Sequence, residues 1–362
     1  MMTLSGHTAE VRSVTQLNDG RLATCSADRT IKIWDLSMPD GQRCVRTLTG
    51  HTGRVNSVTQ LPDGRLVSCS DDETVKVWDL NKLDEDPCVA TLKGHYLHVH
   101  SVTPLAGGWL ASCATDKTIK VWDLSKPDGK QCVATLRGHT KGVSSVTQLP
   151  NGLLASGAGD QTVKVWDLSK LDDEPCVATL SGHTRWVESV AAFDDGLIAS
   201  CSLDKTVKVW DLSKPDGQQC VATLNGHTNW VRSVTVLVDG RLASCAGDYH
   251  DDILGDGSGD KSIKVWDLSM PDGQQCVASL TGHNYWVNSV TQLTNGMLAS
   301  CSEDRTVRVW DIKGGGCLSR LNGRADGVNL VMAMADVRRD SCSSPSKEEK
   351  SLPDNKKNTK GI

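Results

Sequence analysis

This sequence predicts an all-β fold, a closed seven-bladed β-propeller of four-stranded antiparallel blades, and three observations carry the prediction. Gly-His pairs end at His7, His51, His95, His139, His183, His227 and His283, so the copies step by 44 residues five times and then by 56. Trp-Asp pairs beginning at Trp34, Trp78, Trp122, Trp166, Trp210, Trp266 and Trp310 keep step with them. Between these marks lie short runs rich in Val, Thr, Trp and Cys, punctuated by Gly, Pro and Asp, and no stretch carries a helical period.

Each copy reads as a four-stranded meander. In the second copy the strands are Val55 to Leu61, Arg65 to Ser70 after the turn Pro62-Asp63-Gly64, Thr74 to Leu80, and Cys88 to Leu92. One such sheet cannot bury both its faces, whereas seven arranged radially cover one another and leave only short edges. Residues 1–322 therefore make the propeller, and the long sixth step places twelve extra residues near 247–259. The fourth strand of the last blade has two candidates, Cys317 to Leu321 and the amino-terminal Met1-Met2-Thr3-Leu4. The carboxy-terminal one is longer and already in register, so it is preferred. Residues 323–335 begin a degraded eighth copy that lacks the His and never reaches a Trp-Asp. Residues 336–362 are rich in Ser, Lys, Glu and Pro, a composition that forms no core and predicts a disordered tail.

Composition narrows the function. The 362 residues are 38% apolar and 23% charged with a net charge of −5, an ordinary soluble balance. No apolar run reaches the roughly 18 residues of a membrane span, and the start has no signal-peptide profile, which predicts a soluble protein of the cytoplasm or nucleus. Thirteen of the fourteen cysteines fall at two repeated places: Cys25, Cys69, Cys113, Cys201, Cys245 and Cys301 on second strands, and Cys44, Cys88, Cys132, Cys176, Cys220, Cys276 and Cys317 on fourth strands. Both sets read as small buried apolar residues in a reducing compartment.

Metal, cofactor and catalytic readings are weak. His95, His98 and His100 could ligate zinc, but a fourth ligand is missing and His95 belongs to the repeat. The acidic insert (Asp248, Asp251, Asp252, Asp256 and Asp260) does not fit the spacing of a calcium loop. The innermost strands repeat Ser13-Val14, Ser57-Val58 and their equivalents, a ring of like residues rather than the unlike groups a catalytic centre needs. No catalytic residue, metal or cofactor is expected.

The period, the Gly-His opening and the Trp-Asp ending resemble the WD40-repeat proteins. The resemblance covers about nine-tenths of the chain, with seven copies in register. It implies a structural hydrogen-bonded chain of His, Ser or Thr, Asp and Trp in each blade, here His7, Thr24, Asp28 and Trp34 in the first and His51, Ser68, Asp72 and Trp78 in the second. It also implies that peptide partners dock on the narrower top rim around the channel mouth.

Where the copies differ, the scaffold imposes no single residue. The residues flanking the fixed Val of the innermost strand are Glu10 and Arg12, Arg54 and Asn56, His98 and His100, Gly142 and Ser144, Trp186 and Glu188, Trp230 and Arg232, and Trp286 and Asn288. A second variable place precedes the structural Asp: Ala27, Asp71, Thr115, Gly159, Leu203, Gly259 and Glu303. Trp186, Trp230 and Trp286 form one expected aromatic arc of interface anchors, and the insert adds Asp248, Tyr249, His250, Asp251, Asp252 and Asp256. The leading expectation is a non-catalytic scaffold, a monomeric propeller within a larger complex, that binds protein or peptide partners here. The runner-up is a substrate-receptor subunit of a ubiquitin ligase, suggested by fourth-strand segments such as Gly217–Leu224 and by rim arginines that could hold phosphate. RNA binding is less favoured, because residues 338–362 carry seven basic and four acidic groups and the rest of the chain is strongly acidic in balance.

Overall fold

The computed structural model describes residues 2–82, 86–171, 174–247 and 259–312. These form twenty-eight β-strands in seven four-stranded antiparallel sheets. Blade one runs outward from the ring axis as Val11–Gln16, Leu22–Ser26, Ile31–Trp34 and Cys44–Leu48. The insert residues 248–258, the segment Cys317 to Leu321, the eighth-copy segment 323–335 and the tail 336–362 lie outside the described residues.

Second strands such as Leu22–Ser26, Leu66–Ser70 and Leu298–Ser302 are buried along their whole length. Both faces lie against other blades, which is why these strands read Leu-Ala-Ser-Cys-Ser instead of alternating apolar with polar. The core is accordingly a set of layers between blades: Ala23, Cys25, Ile31, Ile33 and Leu48 of blade one pack on Val55, Val58, Leu66 and Trp78 of blade two. The Trp of each Trp-Asp pair fills such a layer, and its indole also explains the Gly of the Gly-His pair. A Cβ on Gly6, at φ +158, would lie 3.1 Å from Trp34 Cη2.

Ring closure corrects the sequence expectation. The fourth place in blade seven is held by the amino-terminal strand Met2–Ser5, which pairs antiparallel with Thr306–Trp310 in the register Met2↔Val309 to Ser5↔Thr306. Leu4, 2% exposed, packs among Val11, Val14 and Leu22 of blade one and Val307 and Val309 of blade seven. It occupies the place that Leu48 and Leu92 hold elsewhere, so a short strand with one well-placed apolar residue suffices to join the chain's beginning to its last repeat.

A second correction concerns the cysteines. The second-strand set is fully buried, and burial pushes the Cys25 and Cys113 thiols far up. The fourth-strand set is not: Cys132, Cys220 and Cys276 are exposed and Cys44, Cys88 and Cys176 half-buried. The fourth strand is the outer edge of its blade, with no further strand to cover it.

The same four side chains hold the connection between second and third strands in every blade. Trp34 Nε1 donates to Thr24 Oγ1 at 2.7 Å, and His7 lies 2.8 Å from Thr24 Oγ1 through Nε2 and 2.8 Å from Asp28 Oδ2 through Nδ1. An ionised carboxylate can only accept, so Nδ1 carries the imidazole proton and Nε2 accepts from the hydroxyl. Asp28 also receives the N–H of Thr8 and Thr30 and the hydroxyl of Thr30. This clamp holds Arg29 at φ 69, and its equivalents Glu73, Lys117, Gln161, Lys205 and Arg305 share that left-handed conformation, which costs an L-residue about 1–2 kcal/mol.

Burial alone would raise these aspartates, but hydrogen bonds from His, from Thr or Ser and from backbone N–H groups outweigh it and hold Asp28, Asp72, Asp116, Asp160, Asp204, Asp260 and Asp304 below the usual carboxylate range. Their stabilisation is complete above the unfolded-state value of about 4 and is lost as pH falls through the folded values, about 2 for Asp116. His100 and His283, lowered chiefly by burial, resist protonation when folded, so they add a loss that begins below about pH 6.5. The melting temperature is therefore expected to fall gently below that pH and steeply below pH 4. Tryptophan fluorescence melts across pH 2–8 check this, and an unchanged melting temperature at pH 3 would contradict it.

Candidate functional site

The rim residues are placed by a β-bulge that recurs in every innermost strand. In blade one the pairing jumps from Val11↔Ser26 to Ser13↔Cys25, leaving Arg12 as the extra residue. The same jump makes Asn56, His100, Ser144, Glu188, Arg232 and Asn288 the extra residues of their strands. A bulge re-aims its residue out of the sheet. Here several turn toward the next blade: Asn56 Nδ2 donates to Val99 O at 2.8 Å, Asn288 Nδ2 to Val11 O at 3.0 Å, and Arg12 Nε to Asn56 Oδ1 at 3.2 Å.

Blades one to three are knit by these contacts into one polar network. Glu10 Oε1 lies 3.3 Å from an Arg12 guanidinium nitrogen and 3.5 Å from one of Arg54. Asp71 Oδ1 accepts from Asn56 Nδ2 at 2.8 Å and lies 3.6 Å from His98 Nδ1. His100 Nε2 is 2.7 Å from Thr115 Oγ1, and burial, aided by Arg12, His98 and His95 against Asp71, lowers it to about 4, so it is neutral at pH 7. His95 belongs to the turn network of its own blade, 2.8 Å from both Asp116 and Ser112. The three histidines are thus committed to different partners, and no group of three or more His, Cys, Asp or Glu converges for a metal among the described residues. Farther round, burial raises the Glu188 carboxyl, while Arg232 and Arg12, the latter from across the ring, oppose the rise.

The expected aromatic arc is not formed, and this is a third correction. Trp186 is 48% exposed, Trp230 is half-buried beside the Arg232 guanidinium, and Trp286 is 3% exposed. The cause is the partner in the preceding blade. Trp186 lies on Gly159, where a Cβ would meet its ring at 3.0 Å, and Trp286 is wedged against Gly247, where a Cβ would come within 2.2 Å of its own Cβ. Two other junctions match likewise: His98 faces Asp71, and Gly142 stands against Thr115, where a Cβ would lie 3.2 Å from Thr115 Cα. Gly247 also replaces Gly259 in the second variable set. Its N–H donates to Trp230 O at 2.9 Å, as Ala27 does to Glu10 O and Glu303 to Trp286 O.

Sequence comparison of the copies overlooked Tyr96, Leu97 and Tyr285, all exposed on the same loops. They occupy the two columns before the first flanking residue, where other copies have Thr8, Ala9, Thr52 and Gly53, and comparing those columns would have found them. Lys261 Nζ sits 5.8 Å from the Tyr285 ring centroid, a cation over an aromatic face.

Known proteins bear on this geometry. The WD40 family profile (WD domain, G-beta repeat) matches residues 1–35, 42–79, 86–123, 130–167, 174–211, 218–267 and 274–311. The chain belongs to the WD40 family. Among its relatives, this WD40 chain is 44% identical over 79 residues to the F-box/WD repeat-containing protein sel-10 of Caenorhabditis elegans, a stretch covering 22% of this chain and 13% of that protein. It is 34% identical over 93 residues to the nuclear distribution protein PAC1 of Fusarium vanettenii, covering 23% and 20%. It is 44% identical over 62 residues to the ribosome biogenesis protein WDR12 homolog of Nematostella vectensis, covering 17% and 15%. The matches thus span a fifth or less of each relative's length. No helix among the described residues is long and apolar enough to cross a membrane.

Proposed function

We propose that this WD40 chain is a non-catalytic scaffold that holds partner proteins by a peptide segment laid across the rim, working inside the cell. The observation that carries the reading is Trp186. One face of its indole rests on Gly159 and the other meets solvent, so a large anchor is held in place before any partner arrives, which lowers the ordering cost of binding. Tyr96 and Leu97 on blade three and Tyr285 on blade seven are further exposed side chains of the same loops, and the Arg54–Glu10–Arg12 group offers charge on blades one and two.

Two substitutions separate contact from packing. Trp186→Ala is expected to change stability by less than about 1 kcal/mol and to strip bound proteins from the tagged chain in lysate capture. Trp286→Ala is expected to cost about 3–5 kcal/mol through the cavity it leaves, measured by denaturant unfolding. Capture of the same proteins by the folded Trp186→Ala variant would refute the rim reading.

A second reading, a substrate receptor of a ubiquitin ligase, is favoured by the match to the F-box/WD repeat-containing relative. Phosphate recognition at Arg12 and Arg54 would compete with Glu10, which both guanidinium groups already approach. A target peptide bound equally with and without its phosphate would remove that form of the reading.

A further inference from the structure

On the face of the ring opposite the rim, the innermost strands end in Gln16, Gln60, Pro104, Gln148, Ala192, Val236 and Gln292. Wherever this residue is Gln, its Oε1 accepts an N–H from the loop of the preceding blade: Asn18 to Gln60 at 2.7 Å, Ala106 to Gln148 at 2.8 Å, Val238 to Gln292 at 2.7 Å and Thr294 to Gln16 at 2.7 Å. The Nε2 donates to a glycine carbonyl of its own loop, Gln60 to Gly64 at 2.9 Å and Gln16 and Gln148 to Gly20 and Gly152 at 3.4 Å. One carboxamide thus bridges two blades.

Two of the remaining junctions need no bridge. Pro62 and Pro150 stand where Asn18 does and have no N–H to give, and the residues facing them are Pro104 and Ala192. The junction between blades five and six differs. Asp194 keeps the backbone N–H and Gly240 the loop carbonyl, but Val236 stands where the carboxamide would be and its side chain can neither accept nor donate. An open cavity of about 660 Å³ borders this junction and extends along the same face to blade four, with Gln148, Pro150, Ala192, Phe193, Asp194 and Val236 in its lining.

We propose that this cavity is a docking site for an extended segment of a partner protein, which inserts a glutamine side chain between blades five and six. The four filled junctions show what the place accepts: an oxygen for the loop N–H, an amide N–H for the glycine carbonyl, and an aliphatic stem along the wall. Val234, Val236 and Phe193 supply that wall. A glutamate would bring no N–H donor and would set a second carboxylate beside Asp194, so the amide is selected over the acid. The site is on the other face from the rim and stands or falls independently of it.

The test titrates the full chain with acetyl-Thr-Gln-Leu-amide, the tripeptide that carries Gln at the filled junctions, while following the backbone amide NMR signals of Asp194 and Gly240. Saturable shifts at both are expected, with the Thr-Leu-Leu and Thr-Glu-Leu counterparts binding about tenfold more weakly. Val236→Gln is expected to supply the carboxamide from within, abolishing peptide binding while raising the melting temperature, and Val236→Ala to keep binding. Absence of shifts at Asp194, equal affinity for the leucine tripeptide, or undiminished binding by folded Val236→Gln would each overturn the proposal.

Discussion

Replacing Asp116 with Ala is expected to cost about 3–5 kcal/mol of unfolding free energy, because several buried donors lose their acceptor at about 1–3 kcal/mol each. Asp116 is 3% exposed and accepts from His95 Nδ1 at 2.8 Å, Thr118 Oγ1 at 2.6 Å and Thr118 N at 3.0 Å. Without it a buried imidazole N–H and a buried hydroxyl lose their acceptor, and Lys117, at φ 66, loses the clamp that holds it left-handed. The chain onward through Ser112 to Trp122 then loses its anchor as well. Urea unfolding followed by tryptophan fluorescence measures the effect. Asp123→Ala, at a half-buried strand end where the carboxylate accepts from Ser125 and lies 3.9 Å from Lys126 Nζ, should lower the midpoint far less. Equal effects from the two would mean that the buried network contributes nothing particular.

Deleting residues 1–5 should have a comparably large effect, because it removes the whole fourth strand of blade seven. Leu4 leaves the layer between blades seven and one, and Val307, Val309 and Val11 lose cover. Leu4→Ala alone is expected to cost about 2–5 kcal/mol. The deletion should further split a cooperative transition, since blade seven would hold only the three strands Val287–Gln292, Leu298–Ser302 and Thr306–Trp310. Thermal melts compared with a Val45→Ala variant, which changes an exposed residue of the outer strand in blade one, provide the check. A deletion variant that melts like the parent would return the closing role to Cys317 to Leu321.

The two strand candidates show where sequence reasoning loses its grip. Cys317 to Leu321 is the longer candidate and already in register, but the ring joins through whichever strand places a Leu in the layer between blades seven and one. That is a property of two blades and cannot be read from one repeat. The tryptophans repeat the lesson. Copy-by-copy comparison shows that Glu10, Arg54, His98, Gly142 and the three Trp vary at one position, which suggests freedom from packing. The variation is in fact paired with the preceding blade, Trp186 with Gly159 and Trp286 with Gly247. Comparing each copy with the next, instead of all copies at one column, would have shown it. The glutamine bridges and prolines of the opposite face follow the same pairwise rule.

By itself the sequence determined the number of blades, the four strands in each, the family, and the His–Ser/Thr–Asp–Trp chain, because each depends on residues inside one repeat and recurs seven times. Only the tertiary structure decided which chain end closes the ring, which Trp meets solvent, how the bulge aims Arg12 and Asn56, and which junction is left without its carboxamide. Those outcomes are set by what one blade presents to the next across a close-packed interface. A repeat carries its own strand signals in full, but only half of each contact that joins it to its neighbour.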